Sequence, residues 1–139
     1  MRRRITDNAL FDLALVMDFI EHVEDGFGSV RNVSLKARWK IYNIAIDVHA
    51  SATLRGRNIY HWESIGHIHL FTLEIALKTI SSSGQRVLDW FLVPGLLENP
   101  KHKRLETRLM NLLRQPLHKI NPLLACRALG GYSVMVLAA

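Results

Sequence analysis

Ten residues, Thr53 to Trp62 (TLRGRNIYHW), gather Arg55, Arg57, Asn58, Tyr60, His61 and Trp62. Guanidinium groups grip phosphates through a fork of N–H donors, and an imidazole exchanges protons near neutral pH. The stretch therefore has the makings of a ribonuclease active site, a nucleic-acid-binding surface or a solvated loop. A metal centre built from His61, His67 and His69 is a further possibility. On one helix, however, their offsets would turn the rings to different faces, whereas helical ligand pairs stand three or four residues apart. The expectation is no metal, with these histidines packed or solvated. Cys126 is the one cysteine, carries no recognisable nucleophile signature and reads as a small buried thiol. There is no G-x-G-x-x-G and no phosphate loop; Gly26 with Gly28, and Gly130 with Gly131, read as turns, and no cofactor is expected.

The chain has 139 residues, enough for one domain with a real core, so residues 1–139 read as a single domain. Eighteen Lys and Arg against twelve Asp and Glu leave a net charge of +6, which attracts phosphates or an acidic protein face, or simply keeps the protein soluble. A lone cysteine excludes an internal disulfide and makes a reducing, cytoplasmic setting the default. The start MRRRITDN resembles the charged head of a signal peptide, but Asp7, Asp12 and Asp18 interrupt the apolar residues beyond it, so export is not expected. No apolar run reaches the roughly 18 to 20 residues that span a bilayer, and no membrane association is expected.

The elements that would position these residues read as helices. Leu10, Leu13, Ala14, Met17 and Ile20 recur at spacings of three and four across Asp7 to Glu24, with Asp7 as N-cap. A second helix spans Val33 to Leu54, aligning Leu35, Trp39, Tyr42, Ala45 or Ile46, and His49, with Arg31, Lys36, Arg38 and Lys40 crowding its start, where the helix dipole gives cations no help. A third runs from Tyr60 to Ile80 and stops at SSSG. VLDWFLVPG reads as a short packed helix, with a strand as the alternative. A further helix starts near Pro100, displaying Lys101, Lys103, Arg104, Arg108 and Arg114; Pro116 and Pro122 bracket the link to a last piece around LLACRALGGY. The expected fold is all-α: an up-down four-helix-type bundle with additional short C-terminal helices.

These residues carry two resemblances. Arg55 or Arg57 followed by His61 resembles the arginine-to-histidine motif of the HEPN ribonucleases, themselves helical bundles, with Asn58 and Trp62 loosely mirroring its companion residues. That resemblance implies an arginine on the scissile phosphate and His61 handling protons during attack by the RNA 2′-hydroxyl. The run from Phe27 to Gly84, with Phe27, Arg31, Leu35 and Arg38 ahead of a helix and the basic break at Arg55 and Arg57, together with CRALGGY (Cys126 to Tyr132), is similar to another group. These are the four-helix accessory variability determinants of diversity-generating retroelements and the rRNA intervening-sequence proteins. Some twenty extra residues between the third helix and that ending depart from the pattern.

The second resemblance implies a non-catalytic basic bundle that forms a homo-oligomer, a pentamer in the retroelement branch, and binds a reverse transcriptase and its RNA or DNA. Arg31, Lys36, Arg38, Lys40, Arg55 and Arg57 are the expected nucleic-acid contacts, attracting phosphate in a salt-sensitive way. The alternatives are a HEPN-like ribonuclease using Arg55, Arg57 and His61, or a protein-interaction bundle with no nucleic-acid role.

Overall fold

A computed structural model describes residues 10–95 and 105–139, the side chains of 105–108 apart. The chain is not a bundle. Four strands form one sheet in the order β1 (Phe11–Met17), β2 (Ala37–Ile46), β4 (Tyr132–Ala138), β3 (Val87–Val93). β1 pairs parallel with β2, while β4 pairs antiparallel with both β2 and β3, so β1, β2 and β3 run one way and β4 opposes them.

The connections are helical. α1 (Gly26–Ser34) joins β1 to the parallel β2, the β-α-β arrangement that parallel neighbours require. After β2 come α2 (Ala50–Leu54), the single turn α3 (Asn58–Tyr60), a π-helical turn (His61–Ile65) and α4 (Leu73–Ser82). α5 (Leu105–Ile120) and α6 (Pro122–Leu129) lead into β4.

Alternation builds the core. In β2 the side chains of Lys40, Tyr42, Ile44 and Ile46 point to the buried face, and in β4 those of Tyr132, Val134, Val136 and Ala138 do the same. Val30 of α1, Ala76 and Ile80 of α4, and Ala125 and Cys126 of α6 close over them. Tyr42 donates to Gln85 Oε1 at 3.0 Å, and Gln85 donates in turn to the Val30 carbonyl and Ser83 Oγ, so the Tyr42 hydroxyl at the centre of this face is satisfied. β1 is different: Phe11, Leu13, Leu15 and Met17 are all exposed along this edge.

The expected helices fail for a physical reason. Both faces of these strands carry apolar side chains, even where only one face is buried, and a nearly continuous apolar run satisfies a three-and-four spacing by accident. FDLALVM is β1 and not part of a helix from Asp7 to Glu24; the expected cap Asp7 lies outside the described residues. ARWKIYNIAI is β2, where Trp39, Tyr42 and Ile46 fell on helical spacing while the buried set follows a period of two. The third expected helix is broken in the middle: the π turn His61–Ile65 ends at Gly66, which takes φ 78°, and helix resumes only with α4 at Leu73. VLDWFLV is a strand, the alternative to a short packed helix, and YSVMVLA is another. The start near Pro100, with Lys101, Lys103 and Arg104, falls outside the described residues. α5 runs through Pro116, leaving only Asn121 as link, whose side chain caps α6 by accepting from Leu124 N at 3.0 Å.

Candidate functional site

Because β1, β2 and β3 are co-directional, their carboxyl ends share one edge of the sheet. In open α/β sheets this edge is where ligands bind. Here it holds most of the unusual polar chemistry of the described residues. Asp47 follows β2 directly and is 6 % exposed. His49 caps α2, its Nδ1 accepting from Ala52 N at 3.3 Å, with Ser51 Oγ 3.1 Å away. Burial, then Arg114, His61 and Arg55, push its pKa down to about 4, so it stays neutral.

The π turn places His61 beside Asp47, with Nδ1 3.3 Å from Oδ1. Gly66 then reverses the chain through a left-handed conformation that a side chain would strain, and His67 N donates to the His61 carbonyl at 3.2 Å. That reversal brings His67 back to Asp47, where its Nδ1 donates to Oδ2 at 2.6 Å. The two imidazoles stack with centroids 6.3 Å apart. Burial, reinforced by His67 and Arg57, outweighs the attraction of Asp47 and lowers the His61 pKa. Glu21 and His22 flank the cluster from the loop after β1: His22 stands edge-on to His67 at 4.7 Å and contacts the Gly66 carbonyl through Nδ1 at 3.0 Å. Burial raises the Glu21 pKa, and its Oε2 is buried without a hydrogen-bond partner.

Asp47, His49 and His61 open onto a cavity of about 420 Å³ whose walls also include Arg55, Arg57, Arg114 and Tyr132. Arg114 comes from α5 and is 4 % exposed; it donates to Asn111 Oδ1 at 2.5 Å and to the Leu129 carbonyl at 2.9 Å, while its Nε is buried without a partner. Burial and the nearby Arg55 lower its pKa, opposed by Tyr132. Arg55 is braced on Ser51. Three guanidinium groups against one aspartate make the cavity cationic.

The fold unites some residues singled out from the sequence and separates others. Arg55, Arg57 and His61 do line one cavity, but on an α/β scaffold and not on a HEPN-like bundle. The six expected nucleic-acid contacts do not form one surface. Arg31, in the last turn of α1, and Lys36 and Arg38, at the start of β2, stand at the end of the sheet opposite Arg55 and Arg57, and Lys40 is buried in the sheet face. Trp39, Tyr60 and Trp62 are exposed, with Arg38 over Trp39 at 5.6 Å and Arg57 over Tyr60 at 5.9 Å. His69 is held away from the cluster by the Val23 and Glu24 carbonyls. Cys126 is fully buried, and burial, aided by Glu74 and opposed by Arg127, pushes its thiol up to about 11.

Sequence reasoning missed Asp47, His49, Arg114 and the Glu21–His22 pair. The usable signal was IYNIAIDVH, a β-branched run ended by a carboxylate and an imidazole two residues apart.

The sequence matches no known family, and no curated protein is similar to it. Solved structures are. The putative methyltransferase in complex with the Haloferax volcanii Trm112 methyltransferase activator superposes with a TM-score of 0.58 at 8 % identity over 96 % of this chain and 55 % of its own. The fold is methyltransferase-like. The [4+2]-cyclase SpnF matches with a TM-score of 0.54 at 17 % identity over 95 % of this chain and 51 % of its own. A SAM-dependent methyltransferase from Archaeoglobus fulgidus gives 0.53 at 12 % identity, covering 95 % and 60 %. The chain thus spans about half the length of the structures it matches. This likeness overturns the four-helix resemblance, and with it the non-catalytic nucleic-acid-binding bundle; nothing in these structures supports the reverse transcriptase partner or the pentameric ring which that resemblance implied. Among the described residues, no helix is long and apolar enough to cross a membrane.

Proposed function

We propose that this chain is the acceptor-binding part of a methyltransferase-like group-transfer enzyme, and that its cavity takes a small acceptor carrying a phosphate or carboxylate. One observation carries the reading: the cavity at the carboxyl ends of the strands is lined by Arg55, Arg57 and Arg114, with Arg114 almost wholly buried and its Nε unpartnered. A desolvated guanidinium with an unused donor is a strong anion ligand. The methyl donor of the Archaeoglobus neighbour does not fit the same place. S-adenosylmethionine carries a sulfonium cation, and a cavity with three arginines and one aspartate repels it. The cavity therefore suits the acceptor and not the donor. The methyltransferase-like fold supports the group-transfer reading.

Calorimetric titration at low ionic strength, with EDTA present, tests the assignment using inorganic phosphate, pyrophosphate and S-adenosylhomocysteine. Saturable binding of one anion per chain is expected, stabilising the fold by about 2.7 kcal/mol at a hundredfold excess over Kd. Tighter binding of S-adenosylhomocysteine than of either anion, or no anion binding, would sink the assignment.

A further inference from the structure

We infer that Asp47, His61 and His67 form a binding site for a divalent first-row transition ion beside the cavity. One ligand atom from each lies within 4.8 Å of the other two. The Asp47 carboxylate faces both imidazoles, Oδ1 toward His61 Nδ1 at 3.3 Å and Oδ2 toward His67 Nδ1 at 2.6 Å. With metal–ligand bonds of about 2.0 to 2.1 Å, two donors on a tetrahedral ion stand roughly 3.3 Å apart. The His61 contact already has that separation, and the His67 contact reaches it by a shift of several tenths of an ångström.

An independent sign points to a missing ligand. His61 Nδ1 is buried and aimed at Asp47, yet makes no hydrogen bond. Buried polar atoms are seldom left this way, and an ion between the two groups would satisfy both. The π-helical turn that carries His61 is itself an arrangement often kept at functional positions.

The ligand set selects the class of ion. Two imidazoles and one carboxylate suit zinc, iron, cobalt or nickel, whereas calcium and magnesium call for oxygen ligands. The neighbouring arginines would repel an ion held by weak electrostatic contacts, which favours ions that bond strongly to nitrogen. Three protein ligands leave at least one coordination position free, as in catalytic sites. Asp47 and His61 line the cavity, so the free position faces the acceptor, where the ion would polarise an oxygen of the anion. Glu21 and His22 also have ligand atoms within 4.8 Å of one on His67. The buried Glu21 carboxylate, whose Oε2 makes no hydrogen bond, thus lies beside the His67 ring.

The role assigned to the ion rests on the acceptor reading, but its binding is testable with metal alone. Protein stripped with EDTA and dialysed is titrated with Co(II) and followed by visible absorption. One saturable site per chain is expected, displaced by Zn(II) and indifferent to excess Mg(II). His61→Ala, at a half-buried position, should weaken binding by more than about 100-fold without changing the far-UV spectrum, and His22→Ala should leave it within a few fold. Absence of a saturable site, displacement by Mg(II), or loss of binding in His22→Ala with retention in His61→Ala would overturn the assignment. Because the anion titrations contain EDTA, failure of either proposal leaves the other standing.

Discussion

Replacing Arg114 by Met removes the cavity's deepest positive charge while nearly preserving the length and apolar stem of the side chain. In the folded protein this guanidinium is 4 % exposed, no carboxylate among the described residues pairs with it, and it donates to Asn111 Oδ1 and the Leu129 carbonyl. Each charge-assisted bond contributes about 1.5–3 kcal/mol. Against their sum stands the desolvation of an unpaired cation, several kcal/mol after relaxation. The two nearly offset, so Arg114→Met should change unfolding stability by no more than about 2 kcal/mol in either direction. Anion binding has no such offset. Loss of one charge-assisted bond of about 1.5–3 kcal/mol weakens pyrophosphate binding roughly 10- to 150-fold. Urea unfolding and calorimetric titration on the same preparation separate the two effects, and Arg114→Lys, which keeps the charge but not the fork, should fall between. A folded Arg114→Met protein that binds pyrophosphate as tightly as the parent would refute the reasoning and leave Arg114 as a structural brace.

Three other outcomes are expected. At Gly130 an added Cβ would lie 2.1 Å from His49 Cδ2, on a backbone with φ 62°, so Gly130→Ala should cost about 1–3 kcal/mol and dislodge His49, seen as a lowered Tm and altered His49 ring resonances. Cys126 should resist Ellman's reagent at about pH 8 until the protein is unfolded; because its folded pKa is raised from 9.0 to about 11, the protonated thiol is favoured in the fold, and stability should be intact below pH 9 and fall by roughly 2–3 kcal/mol as pH rises toward 11. On the exposed β1 edge, Leu15→Lys should reduce concentration-dependent light scattering while leaving unfolding stability within about 0.5 kcal/mol; unchanged scattering would show that this edge does not drive association.

Part of this was legible in the sequence and part was hidden by chemistry common to helices and strands. Residues Thr53 to Trp62 did read as a break that gathers polar groups, and Arg55, Arg57 and His61 do share a cavity. The SSSG stop was also legible, since α4 ends at Ser82. The sheet was not, because LALVM and KIYNIAI are near-continuous apolar runs that carry helical spacing as readily as a strand's. The same error hid the site. Placing His61, His67 and His69 on one straight helix scattered their rings, whereas the π turn and the reversal at Gly66 converge the first two on Asp47, a residue that has no meaning as a ligand until β2 is recognised as a strand ending there. Arg114 is brought to the cavity by tertiary packing alone, from a helix more than fifty residues further along the chain.

The position of β4 imposes an order on the birth of the molecule. Residues Tyr132–Ala138 come last of all the elements, yet they occupy an interior place between β2 and β3, with Ile46 matched to Tyr132 and Val93 to Ser133. During synthesis β1 and β2 can pair early, but β2 and β3 each keep an unsatisfied flank until these seven residues have emerged. The cavity likewise lacks Tyr132 until then. Closing contacts across some ninety residues is slow, and open strand flanks are where nascent chains stick to one another. A ribosome stalled short of residue 132 would therefore hold a chain with all of its described helices and most of its cavity residues, but without the strand that joins β2 to β3 and closes the cavity.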